Sequence, residues 1–308
     1  METLALQPRP ILKLSEETVN KIAAGEILQK PANAVKELLE NALDAKATRI
    51  TITCQEGGLK LLSISDNGTG ISPEDLPLLC ERFTTSKIAK YEDLQTLDTY
   101  GFRGEALASI SYVAHLEVRT KTRDATAGTY AEYANGKFKL DKETNEPLLP
   151  KPTAAQVGTT FTVCPLPPPS YHVLKMDMQI RDLFASVPQR RSAFREGGND
   201  EYLRILDVVR KYAIHNSGIA MSIKKVASKS TDLSTTTNAS VSDNIAVIYN
   251  EASLRKELLA FDIPMHDEWQ FSAKGLCSSS SYVSKKTKFL LFINSMHSSV
   301  AYHTSSDI

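Results

Sequence analysis

The side chains best suited to chemistry lie in the stretch VKELLENALDA, residues 35–45. Read as a helix at about 100° per residue, it gathers Val35, Leu38, Leu39 and Ala42 on one apolar arc. Glu37, Asn41 and Asp44, spaced i, i+4, i+7, fall within about 60° of one another on the opposite side. A glutamate can take a proton from water, and an asparagine oxygen is a neutral ligand for a hard cation such as Mg2+. Glu40, about 60° off that stripe, reads as an ordinary solvated residue. Taken alone, the stripe also reads as a solvated acidic helix face, so its meaning depends on the rest of the chain.

Three further motifs follow in order. Asp66-Asn67-Gly68-Thr69-Gly70 comes directly after a strand pattern. Gly68 and Gly70 allow backbone with positive φ and close approach of a planar ligand. The Asp66 carboxylate can accept a hydrogen bond from an exocyclic amine, worth about 1.5–3 kcal/mol. The alternative is a simple turn between strands. Next come Phe83-Thr84-Thr85-Ser86-Lys87 and Gly101-Phe102-Arg103-Gly104-Glu105-Ala106-Leu107, the latter running into an apolar helical pattern. Glycines ahead of a helix leave its first N–H groups free for an anion, and Arg103 and Lys87 suit phosphate oxygens. The alternative is a glycine-punctuated turn with solvated basic residues. A P-loop is excluded, because GxxxxGK[ST] is absent.

These motifs need a scaffold, and the patterning supplies one. Residues 1–14, with Pro8 and Pro10, read as an arm, and Ser15 caps a short helix directed towards Gly25. Pro31 opens the organising helix. Strands over 49–54 and 59–65 flank a Gly57-Gly58 turn, giving a sheet with the helix packed on one face. Further strands read at 116–121, 128–133 and 158–163, with a polar loop over 141–156. The PLPPP run favours extended backbone and excludes a strand. A long helix starts near Asp200, with Asn199 as cap and Tyr202, Ile205, Leu206, Val209 and Ala213 as its stripe. Beyond His215 come a strand at 219–226, a Ser/Thr-rich loop at 228–242 and a helix at 243–249. Strands near 258–263, 269–276 and 288–293 complete what reads as a smaller second domain.

Bulk properties narrow the class. The 308 residues suffice for two domains, and 42% hydrophobic with 23% charged residues describe a soluble globular protein. No apolar run approaches membrane-spanning length and the N-terminus lacks signal-peptide architecture, so no membrane role is expected. A formal charge of zero means that DNA contact requires a local patch, for which Arg190, Arg191, Arg195, Arg204, Arg210 and Lys211 are candidates. That run also reads as a solvated face. Cys54, Cys80, Cys164 and Cys277 form no CxxC pair, which argues against zinc or a disulfide framework and fits a reducing compartment.

Together the motifs resemble the nucleotide-binding set of the gyrase/Hsp90/histidine-kinase/MutL ATPase superfamily. The strings IAAGEILQKPANAVKELLENALDA, DNGTGI, CERFTTSK and YGFRGEALASIS look specifically like the MutL family of DNA mismatch-repair proteins. CERF before TTSK is most similar to the eukaryotic MutL-homologue-one branch. The resemblance implies an α/β fold of two-layer α+β sandwich type, the Bergerat-type ATP-binding fold with helices on one face of a mixed sheet. It places that domain over 15–214, with an apparent insertion at 164–181, and a smaller ribosomal-protein-S5-like domain over 215–308. The string DLFASVPQRRSAF at 182–194 is similar to a family signature ahead of the long helix.

Carried over by position, the resemblance makes Glu37 the general base and Asn41 the ligand of a Mg2+ bridging ATP phosphates. Asp66 would read the adenine amine with Gly68 and Gly70 beside the base, and Thr159 would lie near the adenine. Thr85, Ser86 and Lys87 match a nucleotide-contacting segment. Gly101, Arg103, Gly104, Glu105, Ala106 and Leu107 match a lid around the phosphates. Asp44, the third member of the helix stripe, reads as a support near the adenine side. The implied setting is nuclear, with a PMS-like MutL paralogue as heterodimer partner, MutS-type mismatch-recognition proteins and weakly bound DNA. ATP-dependent lid closure and dimerisation would couple recognition to repair. The resemblance stops after Asn294, so the polar tail 295–308 diverges and the family's distal lysine is missing. That leaves an alternative: a nucleotide-gated interaction module that binds ATP and partners with little hydrolysis. A chaperone or kinase of the superfamily fits less well, because GFRGEALASIS matches MutL better.

Overall fold

The computed structural model describes residues 11–97, 99–165, 198–266, 268, 271–283, 288–293 and 296–298. Two helices, α1 (Glu16–Ile27) and α2 (Pro31–Asp44), precede the antiparallel pair β1 (Arg49–Gln55) and β2 (Leu61–Asp66). After 3-10 turns at Pro73–Leu78 and Tyr91–Thr96, α3 (Ala106–Val113) runs directly into β3 (Ala114–Lys121). There follow β4 (Gly128–Ala134), β5 (Lys137–Phe138), β6 (Lys151–Thr153) and β7 (Gly158–Pro165). The long α4 (Gly198–His215) leads to β8 (Ala220–Lys225), β9 (Leu233–Ser234), α5 (Val241–Ile248) and α6 (Leu254–Glu257). Two hairpins finish the described chain: β10 (Leu258–His266) with β11 (Phe271–Ser278), and β12 (Leu291–Ile293) with β13 (Met296–Ser298).

One mixed sheet organises the molecule, in the order β5-β4-β3-β7-β2-β1-β8-β9, with β6 added to β4. Its registers align the apolar residues in rows. Ile52 faces Ile64 and Ile223, Leu62 faces Val163, and Val163 faces Leu116. These side chains are buried on one side, where α2 packs on β2, α3 on β3 and α4 on β8. Burying each Leu, Ile or Val contributes about 1.5–3 kcal/mol. The opposite side carries hydroxyls, such as Ser65 and Thr160 at 2.8 Å.

The ends of α1 and α2 follow from their caps. The Ser15 Oγ accepts the Thr18 N–H at 3.3 Å, as expected of a capping serine. In α2, Pro31 occupies the first turn and Lys30 N–H donates to Asn33 Oδ1 at 3.0 Å. Val35, Leu38 and Leu39 are fully buried, so the rotation of α2 about its axis is fixed by packing.

Several expectations shift. The strand after His215, assigned from sequence to a second domain, lies in the large sheet as β8, parallel to β1. The reason is that Met221 and Ile223 extend the apolar rows of Ile50 and Ile52. The 141–156 loop contains β6, and the 228–242 loop contains β9. α5 starts earlier than its apolar pattern because Ser240 and Asp243 cap it reciprocally, at 3.2 and 3.1 Å. Within the tail at 295–308, residues 296–298 pair with β12. Residues 1–10 of the arm, 166–181 of the insertion, the 182–194 signature, Trp269 and 299–308 lie outside the described residues. None of the four cysteines forms a disulfide, and no described helix is long and apolar enough to cross a membrane.

Candidate functional site

A cavity of about 980 Å3 opens between α2, the end of β2, the start of β7 and the loops at 84–87 and 99–107. That is the size of a pocket for a nucleotide-sized ligand. Glu37, Asn41 and Asp44 line it from successive turns of α2, with the apolar face of the helix turned to the sheet. Burial pushes the Glu37 carboxyl above the ordinary glutamate range, against the pull of the Lys36 and Lys87 ammonium groups. Asn41 Oδ1 accepts from Lys87 Nζ at 3.0 Å, and the same ammonium reaches Asp44 Oδ2 at 2.5 Å. Asp44 also accepts the N–H groups of Tyr100 and Gly101, at 2.9 and 3.1 Å. Asp44 therefore anchors the loop carrying GFRGEAL, where the sequence reading had placed it towards the adenine side.

At the other end, Asp66 Oδ1 accepts the N–H of Gly68 at 2.8 Å and that of Thr159 at 3.3 Å. Burial raises its pKa, and these two amide bonds pull the other way. Of the residues selected from sequence for the nucleotide and its metal, only Gly68 does not line the cavity; it packs on Ala45, whose carbonyl would lie 2.6 Å from an added Cβ. Gly70 has φ +77, and a Cβ added there would lie 2.3 Å from the Lys121 carbonyl oxygen, so a side chain would collide. Thr159 is buried, its hydroxyl 3.0 Å from that of Thr120, which also accepts the Ile71 N–H at 2.8 Å.

The loop residues Thr85, Ser86, Lys87, Gly101, Arg103, Gly104, Glu105, Ala106 and Leu107 all line the same cavity. The two loops are tied by the Phe83 N–H on the Gly104 carbonyl at 3.0 Å. Gly104 takes φ +60 against the Thr84 carbonyl. Glu105 ion-pairs with Arg82 at 2.5 Å, and Arg82 also donates to Asn20 Oδ1 at 2.9 Å, so that carboxylate is committed to the frame. The Arg103 guanidinium lies over the Phe102 ring at 5.3 Å.

Sequence reasoning missed one cluster on this wall. Glu40, read as solvated, is 2% exposed. Lys36 Nζ lies 2.8 Å from Glu40 Oε1 and 3.5 Å from Glu37 Oε1, and the Tyr212 hydroxyl donates to Glu40. The i, i+4 spacing of Lys36 and Glu40 was a readable signal. Tyr212, arriving from α4, gave none. Of the proposed basic patch, Arg204 pairs with Glu201 and Lys211 with Asp207, both on their own helix. Arg190, Arg191 and Arg195 lie outside the described residues.

Residues 29–162 match the family described as Histidine kinase-, DNA gyrase B-, and HSP90-like ATPase. Over 286 residues, 92% of this chain, the sequence is 43% identical to the DNA mismatch repair protein MLH1 of Saccharomyces cerevisiae. The chain belongs to the MutL family. It is also 40% identical to Dictyostelium discoideum Mlh1 over 93% of its length. The chain spans about a third of the length of these two MutL relatives, 34% and 33%. A crystal structure of the N-terminal domain of a DNA repair protein superposes with TM-score 0.60 at 29% identity, covering 80% of this chain and 64% of that one. The Aquifex aeolicus MutL ATPase domain complexed with ADP gives TM-score 0.60 at 22% identity, covering 89% of this chain and 85% of that one, and shows the shared fold. The architecture of this MutL chain is the Bergerat-type α/β fold, with helices on one face of a mixed sheet.

Proposed function

We propose that the cavity binds ATP with Mg2+ and hydrolyses the γ-phosphate, as the nucleotide-driven module of a MutL-type DNA mismatch-repair protein. The observation that carries this reading is that Glu37 and Asn41, one turn apart on α2, share a cavity with Asp66. In it, Asp66 accepts the adenine amine, with Gly70 and Thr159 beside the base. Thr85, Ser86 and Lys87 contact the nucleotide. The free N–H groups at the start of α3, with Gly101, Arg103 and Gly104, wrap the phosphates.

The residues present fit a magnesium ion. Asn41 Oδ1 already accepts a cation, the Lys87 ammonium. Among the described residues no three His, Cys, Asp or Glu side chains converge as a protein-only cage. One neutral protein oxygen suits Mg2+, which keeps most of its shell for phosphate and water. When bound, the ion neutralises phosphate charge. Glu37 takes a proton from the attacking water, and its raised pKa strengthens it as a base. The remaining catalytic demand is positioning and charge neutralisation, which the α2 wall and the loops supply.

Lid closure and dimerisation of such N-terminal modules then couple mismatch recognition to repair. The partners expected are a PMS-like paralogue, MutS-type proteins and DNA, in the nucleus. The second reading, a nucleotide-gated interaction module with little turnover, draws on the Lys87 ammonium being held by Asn41 and Asp44. Titration of ATP into the 308-residue chain, followed by single-turnover hydrolysis, separates the two. Binding with turnover supports the ATPase, binding without turnover supports the interaction module, and no binding refutes both.

A further inference from the structure

A carboxylate with 2% exposure, three residues after the proposed base, demands an explanation. Burying an ion costs several kcal/mol, and a buried ion pair often adds no stability over an apolar residue of similar size. The geometry around Glu40 suggests what it does. Lys36 reaches two acids of α2, Glu37 and Glu40. Its Nζ is 2.8 Å from Glu40 but 3.5 Å from Glu37, the edge of hydrogen-bond distance. Glu40 is itself held from outside the helix by the Tyr212 hydroxyl of α4. Tyr212 in turn packs against Tyr100, ring centroids 5.9 Å apart, and Tyr100 donates its N–H to Asp44.

We propose that Glu40, fixed by Tyr212, is a positioning residue that draws the Lys36 ammonium away from Glu37 and so leaves the Glu37 carboxylate free to accept a proton. This rests on the reading of Glu37 as general base. Without a competing acid, Lys36 is one residue away from Glu37 and closes on it. A glutamate capped by an ammonium is a weaker base and has a blocked oxygen. Besides Lys36, the ionic groups bearing on Glu37 are the Glu40 carboxylate itself, whose like charge also raises the Glu37 pKa, and the Lys87 ammonium, which Asn41 and Asp44 hold across the cavity. Tyr212 and Tyr100 are the groups facing Glu40 from outside α2. Glu40 and Tyr212 thus join the base to α4 and, through Tyr100, to the root of the lid loop.

The test is a substitution series in the full chain. Glu40→Gln is expected to lower the single-turnover hydrolysis rate at least tenfold, with ATP affinity within threefold of the parent. Adding Lys36→Met to Glu40→Gln removes the ammonium and is expected to recover most of the lost rate. A purely structural role for Glu40 gives no such recovery, because two deletions in one cluster add damage. Tyr212→Phe, which loses a single hydroxyl and keeps the packing, is expected to lower the rate in the same direction by a smaller factor. It decides the matter if Glu40→Gln does not fold. A nucleotide-free crystal structure of Glu40→Gln gives a readout independent of turnover: Lys36 Nζ is expected about 3 Å or less from Glu37. Full activity in Glu40→Gln, or a Lys36 that stays in place, overturns the proposal. Failure of the base assignment looks different, since Glu37→Gln would then retain hydrolysis while the crystallographic shift of Lys36 still stands.

Discussion

Replacing Asp66 by Asn isolates the proposed recognition of the adenine base. Both backbone bonds to this carboxylate, from Gly68 and Thr159, end on Oδ1, which leaves Oδ2 for a donor on the ligand. In the asparagine variant the amide oxygen can keep the two N–H groups, so the local fold survives. The amide nitrogen then occupies the Oδ2 position and points a donor at the adenine amine, itself a donor. The loss is one charge-assisted hydrogen bond, about 1.5–3 kcal/mol, or about 10- to 150-fold in Kd. Calorimetric titration of ATP and GTP at fixed Mg2+, with thermal unfolding as a check on folding, measures it. The same substitution should narrow the ATP-over-GTP preference, because guanine presents a carbonyl that accepts from the new donor. A second signature is pH. Burial holds the Asp66 pKa above 3.8, so wild-type affinity falls as pH drops through that raised value, and Asp66→Asn lacks this limb. An Asp66→Asn chain that folds and binds ATP within threefold of the parent would refute the assignment.

Other perturbations separate catalysis from scaffold. Glu37→Gln should bind ATP normally and hydrolyse it about 10²–10⁴ times more slowly. Only the carboxylate form takes a proton, so the parent's rate should fall with decreasing pH through a pKa that burial places above 4.5; an acid limb at or below that value contradicts the burial argument. Gly104→Ala puts a Cβ at φ +60 against the Thr84 carbonyl, which should cost at least about 1–2 kcal/mol and weaken nucleotide binding, read by unfolding midpoint and titration. Leu39→Ala on the buried face of α2 should cost about 2–5 kcal/mol in urea unfolding, with the transition still cooperative.

What could be read from the sequence was whatever the local period controls. The 3.6-residue spacing fixed which face of α2 is apolar, and the same spacing put Glu37, Asn41 and Asp44 together. Pro31 and Ser15 marked helix starts because capping involves neighbours only three residues apart. What escaped were pairings between distant segments. Glu40 looked solvated because nothing nearby in sequence announces that Tyr212, 172 residues away, closes over it. Likewise β8 was assigned to a new domain because a parallel strand after a long helix carries no local sign of its neighbour. Only the register of Met221 beside Ile50 reveals that it completes the first sheet. The role of Asp44 moved for the same reason: its partners, Lys87, Tyr100 and Gly101, come from loops whose paths no periodicity encodes.

The helix α2 therefore has two faces with separable jobs, and the buried one sets the precision of the other. Val35, Leu38 and Leu39 are fully excluded from solvent, so any rotation of the helix would drag them out of a close-packed layer. The polar face is cross-braced in its turn, by Lys36 and Tyr212 on Glu40 and by Lys87 and the loop amides on Asp44. Those braces reach α4 and both loops. The proposed base and ligand oxygen and the loop anchor Asp44, on one rigid element, can thus register movement of the loops without the helix itself moving. That arrangement suits the proposed coupling of hydrolysis to closure of these loops.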